Sequence, residues 1–126
     1  MKGQNLWKLA KEIIASGNML LSKNPDIFLP KLWPSYFQKT KGCYIWDLEG
    51  RKYIDMSTMS VGTNVLGYNN SKVDNAVKKI IKKGNMSTLN CPEEVYLAKE
   101  LIKIHKWASF AKFARTGAEA NSIAIR

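Results

Sequence analysis

Apolar positions at the start of the chain follow helical spacing. Leu6, Leu9, Ala10, Ile13 and Ile14 fall at i, i+3, i+4, i+7 and i+8, which predicts an amphipathic helix ended by Ser16-Gly17. Between residues 22 and 42, Pro25, Pro30 and Pro34 punctuate scattered aromatics. This reads as an ordered loop, because Phe28, Leu29, Leu32, Trp33, Tyr36 and Phe37 call for burial. The pattern then turns to strands: Cys43 to Asp47 and Lys52 to Met56, joined at Glu49-Gly50, predict a hairpin. Ser71 to Gly84 is the clearest helix. Ser71 is the expected N-cap with Asp74 as its box partner, Val73, Ala76, Val77, Ile80 and Ile81 form the apolar stripe, and Gly84 is the stop. A second helix starts at Pro92, with Glu93 and Glu94 in its first turn, and closes near Lys103 and His105. That position gives His105 a structural role at the helix end rather than a catalytic one. Phe110 to Ala114 reads as a strand, Thr116-Gly117-Ala118 as a small-residue turn, and Ala120, Ile123 and Ala124 as one face of a further helix. Helix and strand thus alternate, which points to the α/β class. No internal repeat or low-complexity tract interrupts the order.

Composition narrows the function classes. The 126 residues are 45% hydrophobic and 24% charged, a globular balance, with a formal net charge of +10 from 20 basic and 10 acidic side chains. A basic balance suits nucleic acid or an anionic surface. Here the lysines are spread over helix faces, as in Lys78-Lys79 and Lys82-Lys83 around Ile80-Ile81, and no basic run is interleaved with stacking aromatics. No nucleic-acid partner is expected, and a non-enzymatic basic binding module remains only an alternative. Cys43 and Cys91 are isolated and His105 is the sole histidine, so no metal site is expected. Unpaired cysteines fit a reducing cytoplasm. Residues 1 to 17 lack the apolar run of a signal peptide, and no apolar stretch approaches the roughly 18 residues of a membrane span.

The segment from Phe113 to Arg126 carries the candidate chemistry. A strand, a tight turn with Gly117 and a helix N-terminus together form an anion site. The first helical N–H groups have no intrahelical partner, and the helix dipole adds positive potential. Gly117 allows close backbone approach and tolerates φ > 0. Thr116 adds a hydroxyl. Strand–glycine–helix junctions that bind nothing are common, so the local pattern alone leaves both readings open.

Four motifs in order lend weight to the binding reading. The stretch FARTGAEANSIAIR at residues 113–126 resembles the phosphate cup of the class III aminotransferases, which use pyridoxal phosphate (PLP) on fold type I. Gly42-Cys-Tyr-Ile-Trp-Asp-Leu-Glu-Gly-Arg-Lys-Tyr-Ile-Asp55 resembles that family's N-terminal hairpin. Val65-Leu-Gly-Tyr68 resembles its L-G-H segment, and Glu94-Val-Tyr-Leu-Ala98 its E-x-x-L-A helix. The glutamate-1-semialdehyde aminomutases belong to the same family. The resemblance implies an α/β fold, the N-terminal part of a fold type I PLP-dependent transferase. Residues 1–66 would be a segment of the small domain with a helix, loop and β-hairpin. Residues 67–126 would begin the large PLP-binding domain. The last helix reaches Arg126 without a stop signal, so a longer protein is expected.

By the same resemblance, Thr116, Gly117, Ala118 and Glu119 bind the cofactor's phosphate. Ala118 stands where the family has threonine, which keeps a backbone N–H and loses a hydroxyl, and Glu119 orients the turn. Ser60, in the small-residue loop Asp55 to Gly67, would touch substrate at the entrance. No catalytic residue is assigned, because the Schiff-base lysine and the pyridine-nitrogen aspartate are expected after residue 126. The implied activity is amino-group transfer between a small-molecule donor and a carbonyl acceptor by a cytoplasmic homodimer, with intramolecular transfer of the aminomutase type as the alternative. Met59-Ser60-Val61-Gly62 replaces the aminomutases' S-W-G, Tyr68-Asn69-Asn70 replaces His-x-Pro, and no arginine lies between Phe28 and Gln38. These departures fit the family's sugar- or polyketide-modifying relatives better.

Overall fold

A computed structural model describes residues 1–57, 59, 62–84 and 87–126 of the chain. The chain divides into two compact units, Met1–Lys82 and Lys83–Arg126.

The first unit opens with helix α1, Lys2–Ile13. Its buried face is Gly3, Trp7 and Ala10, not the expected Leu6–Ile14 stripe. Leu6, Leu9 and Ile13 stay exposed, and Ile14 has left the helix with extended backbone. Trp7 wins because it offers a large apolar body and a polar tip. Its Nε1–H donates to Asp26 Oδ1 at 3.0 Å, and Lys11 pairs with the same carboxylate at 3.3 Å. Ser16 and Gly17 then turn the chain through two successive left-handed conformations, φ 62° and 75°. Gly17 lies directly against the indole: a Cβ there would stand 2.4 Å from Trp7 Cη2. Two short 3₁₀ turns, Leu21–Lys23 and Pro25–Ile27, follow. The loop aromatics do not reach the expected burial. Phe28 and Trp33 stack on each other with centroids 4.5 Å apart, while Leu29, Leu32 and Phe37 are exposed and Tyr36 is half-buried.

The sheet has three antiparallel strands in order β1 (Phe37–Lys41), β2 (Tyr44–Asp47) and β3 (Lys52–Ile54). Strand β1 lies inside the segment read as loop. Phe-Gln-Lys-Thr-Lys carries no apolar alternation, and pairing with β2 makes it a strand. The β2–β3 hairpin is the expected one, one residue shorter at its start and two at its end. One face of the hairpin carries Ile45, Asp47 and Tyr53, the other Tyr44 and Trp46, as the two-residue period requires. Asp47 is the most deeply buried polar residue, 1% exposed. Its Oδ1 accepts from the N–H of Glu49 and of Arg51, and its Oδ2 from Arg51 Nε at 2.8 Å and Tyr53 OH at 3.0 Å. Burial pushes this carboxyl up, but the bonds from Arg51, Tyr53 and Glu49 outweigh it and hold the group below the usual carboxylate range. The N–H of Lys2 donates to Glu49, which ties the start of α1 to the hairpin turn.

Helix α2 spans Ser71–Lys83. Its cap is Asn70 rather than Ser71, because Asn70 Oδ1 accepts from the N–H groups of Lys72 and Val73. Gly84 follows at φ 95°, as a helix stop requires. The apolar stripe exists but no residue of α2 is buried, and Val73, Val77 and Ile81 are exposed. In the second unit, α3 spans Pro92–Ile104 with His105 at its C-cap. Helix α4 spans Gly117–Ile125. Residues 110–114 are not a strand among the described residues, because no second strand lies beside them, and Phe110 is 92% exposed.

Gly17→Ala tests the seat of Trp7. The added methyl must displace the indole and adopt a disfavoured φ, costing roughly 1–3 kcal/mol. Thermal unfolding should shift down by several degrees, and Trp7→Phe in the same background should recover part of the loss.

Candidate functional site

Two local arrangements carry the sequence-predicted site. The first is the turn before α4. Thr116 has extended backbone, φ −136° and ψ 158°, and caps the helix: its Oγ1 accepts from Glu119 N–H at 3.2 Å, and its carbonyl accepts from Ala120 N–H at 3.0 Å. The hydroxyl therefore uses a lone pair on the helix and keeps its own proton for a further acceptor. Glu119 reaches back, its Oε2 accepting from Arg115 N–H at 2.9 Å and its Oε1 from Arg115 Nη2 at 3.2 Å. This is a capping box displaced by one residue. The N–H groups of Gly117 and Ala118 have no acceptor among the described residues, as expected for a first helical turn.

Gly117 differs from its expectation in one respect. It is not among the glycines with positive φ, and a Cβ there would meet nothing within 4 Å. Glycine at 117 is thus not required by backbone twist. A Cβ at this position would touch no atom of residues 1–126, and the N–H groups of Gly117 and Ala118 stand beside it without acceptors among the described residues. The donor set of a hydroxyl and two N–H groups at a helix N-terminus suits a phosphate. An open depression of about 480 Å³ borders the same helix. It includes Ala118 and Glu119 but neither Thr116 nor Gly117, so it is the flank of α4 beside Phe113 and not the anion cup.

The second arrangement is the loop between hairpin and α2. Asp55 N–H donates to Cys43 O at 2.8 Å, and Gly42 and Tyr68 exchange both backbone hydrogen bonds at 2.9 Å. Tyr68 OH donates to Asp55 Oδ2 at 2.6 Å, joining residues thirteen positions apart. Asp55 Oδ1 also accepts from the N–H and hydroxyl of Ser57. Gly67 lies so close that a Cβ would stand 3.2 Å from Gly42 Cα. Burial, then the Asp55 bond, pushes the Tyr68 phenol up to about 12. Asp55 is pushed up by burial, but the bonds from Ser57 and Tyr68 leave it below its ordinary value. A cleft of about 180 Å³ lies between this loop and the start of α2, lined by Asn64, Gly67, Asn69, Asn70, Val73 and Asp74 among others.

Thr116, Gly117, Ala118 and Glu119 thus come together in one turn. Ser60 lies outside the described residues. Sequence reading missed Arg115 as the partner of Glu119, and it missed the Asp55–Tyr68 pair. The signal for the pair was present, since both residues sit at the ends of the small-residue loop. No cluster of side chains suited to a metal ion occurs among the described residues, and no helix there is long and apolar enough to cross a membrane.

Comparison with known proteins places these features in a family context. The family profile described as "Aminotransferase class-III" matches residues 31–126. The glutamate-1-semialdehyde 2,1-aminomutase of Methanocaldococcus jannaschii is 35% identical over 127 residues, covering 99% of this chain and 28% of its own length. The 3-aminobutyryl-CoA aminotransferase of Cloacimonas acidaminovorans is 30% identical, covering 99% of this chain and 30% of its own. Among solved structures, the PLP internal aldimine form of FumI from Sphingopyxis sp. MTA144 matches with a TM-score of 0.85 and 29% identity, covering 97% of this chain and 29% of that one. The fold is therefore that of a part of a PLP-dependent fold type I protein. The chain spans less than a third of the length of these relatives.

The Asp55–Tyr68 bond predicts a pH signature. The phenol is raised in the folded state, so its contribution is fully present below the ordinary tyrosine value near 10 and is lost as pH rises through about 12. The carboxyl is lowered, so its share is present above the ordinary aspartate value near 4 and is lost as pH falls through its folded value. A phenolate absorbance titration should show a tyrosine step near 12 that Tyr68→Phe removes, while Tyr53, also raised, stays. An unchanged titration curve in Tyr68→Phe above about pH 11 would contradict the hydrogen bond.

Proposed function

Because the chain belongs to the aminotransferase class-III family, we propose that the protein of which it forms part transfers amino groups with pyridoxal phosphate. The observation that carries this reading is the turn Thr116-Gly117-Ala118. Its hydroxyl and the N–H groups of Gly117 and Ala118, which have no acceptor among the described residues, stand together at the N-terminus of α4. Thr116 and the N–H groups of Gly117 and Ala118 would hold the cofactor's phosphate, and Glu119 would fix the turn through Arg115. When bound, pyridoxal phosphate supplies the carbonyl that accepts an amino group from a donor and passes it to an acceptor. The residues of this chain bind and orient. They contain no group assigned to the proton transfers, and the Schiff-base lysine is proposed to lie outside residues 1–126.

The family resemblance supports further parts of the reading. Residues 1–66 belong to the small domain and 67–126 begin the large one. The loop that contains Ser60 lines the substrate entrance. The working form is a cytoplasmic homodimer. The similarity to the Methanocaldococcus jannaschii aminomutase supports intramolecular transfer as a second reading, whereas the absence of the S-W-G pattern and the similarity to an aminotransferase support transfer between two substrates. Assay of the full-length protein with glutamate 1-semialdehyde, and with 3-aminobutyryl-CoA plus a 2-oxo acid, separates them. Turnover of the first without a second substrate marks an aminomutase. Turnover of neither, by protein that binds no pyridoxal phosphate, rejects the whole reading.

The phosphate turn makes a sharper test in the full-length protein. Gly117→Val adds a side chain whose Cβ would meet no atom of residues 1–126 within 4 Å, so their folding should change by less than about 0.5 kcal/mol. Pyridoxal phosphate affinity, titrated by absorbance, should fall more than for any other change in the turn. Thr116→Ala removes a hydrogen bond to a charged group and should weaken binding about tenfold to a hundredfold. It also removes a helix cap, which costs about 0.5–2 kcal/mol of stability. Ala118→Thr should be tolerated. Unchanged affinity in both Gly117→Val and Thr116→Ala would make the turn a plain loop–helix junction.

The dimer is checked by light scattering on the full-length protein. A fully active monomer would overturn it.

A further inference from the structure

We propose that the Asp55–Tyr68 hydrogen bond is the clasp at the neck of the loop between these two residues, and that Tyr68 is a positioning residue that sets residues 62–67 at the substrate entrance. The entrance assignment rests on the function proposed above, while the clasp rests on geometry alone.

The neck is built from three layers. The backbone bridge between Gly42 and Tyr68 fixes where the chain leaves the loop, and the Asp55 N–H to Cys43 O bond fixes where it enters. The Gly67–Gly42 contact lets the two backbones approach so closely. Each of these holds one end of the loop to the β1–β2 turn. Among the described residues, the side-chain bond of 2.6 Å from Tyr68 to Asp55 is what joins the two ends to each other. A connection whose two ends are tied in this way has a fixed neck.

Both clasp groups are constrained from more than one side. Asp55 commits its other oxygen to Ser57, the second residue of the loop, so the clasp also sets the direction in which the chain departs. On the far side, Gly67 N–H donates to Asn64 O at 2.8 Å, and Asn64 lines the cleft against α2 with Asn69 and Asn70. Movement of the neck would therefore move a wall of that cleft. Asn69 holds a left-handed φ of 52° immediately after Tyr68, which directs the chain into the Asn70 cap of α2. Fixing the neck thus fixes the loop's two exits, one to the hairpin and one to the helix.

The test uses the full-length protein loaded with pyridoxal phosphate. Tyr68→Phe removes the clasp and leaves the backbone bridge. Asp55→Asn keeps an acceptor for Tyr68 and loses the charge. Hydrogen exchange at the backbone of residues 62–67 should speed up about tenfold or more in Tyr68→Phe, and less in Asp55→Asn. Exchange in β2 and α3 should be unchanged. Pyridoxal phosphate affinity should be unchanged in both variants, because the phosphate turn is elsewhere in the sequence. The second-order rate at which phenylhydrazine, a small carbonyl reagent, reacts with the bound cofactor should change at least threefold in Tyr68→Phe. Equal exchange at 62–67 in wild type and Tyr68→Phe would overturn the clasp. Faster exchange with an unchanged phenylhydrazine rate would overturn the entrance role. Failure of the wild-type protein to bind pyridoxal phosphate would instead refute the proposed function, and the exchange measurement would still decide the clasp.

Discussion

The carboxylate of Asp47 is the constraint on which the first unit depends. A single buried acid collects four hydrogen bonds, two from the backbone of the β2–β3 turn and two from the side chains of Arg51 and Tyr53. A buried charge with this many donors is satisfied, and the low-dielectric surroundings strengthen each bond. Removal of any one donor leaves the charge short of a partner, which is the costly direction of change. The hairpin is only a few residues long in each strand, and so short a ribbon is marginal in water without such a brace.

The loop and helix start beyond the hairpin hang on that brace. The β1–β2 turn at Gly42-Cys43 provides the backbone groups that hold Asp55 and Tyr68, and Asn70 caps α2 two residues later. Hairpin, loop neck and helix start form a continuous sequence of hydrogen-bonded steps. The second unit is ordered differently. Its two helices are set by terminal chemistry: Pro92 with Glu93 and Glu94 at one start, Thr116 with Glu119 at the other. Their apolar side chains are largely uncovered in this chain, which accounts for helices without a core.

The parts legible in the sequence were those decided by local chemistry. Gly84 as a stop, Pro92 as a first helical residue and His105 at a helix end all depend on neighbours within one turn. So does the small-residue turn at Thr116-Gly117-Ala118 that opens α4. The parts that were not legible depend on partners distant in sequence. Phe37–Lys41 has no strand pattern and becomes β1 only through its register with β2. Residues 110–114 have a strand pattern but no neighbour to pair with among the described residues. Trp7 outranked the leucine stripe because Asp26 and Gly17, remote from it in sequence, complete its seat. The cap of α2 was displaced by one residue because two adjacent side chains, Asn70 and Ser71, are both good caps, and only geometry chooses between them.

The lysines of the sheet have a consequence beyond their charge. Lys52 Nζ sits 3.6 Å from the centre of the Tyr44 ring and Lys39 Nζ 4.5 Å from that of Trp46, so the aromatic face is lidded by cations. Lys39 and Lys52 also belong to the two outer strands, β1 and β3. An incoming strand at either border would meet an ammonium group that has to be stripped of water or pushed off its ring. Among the described residues, each outer strand of the sheet thus carries a cation that disfavours such pairing.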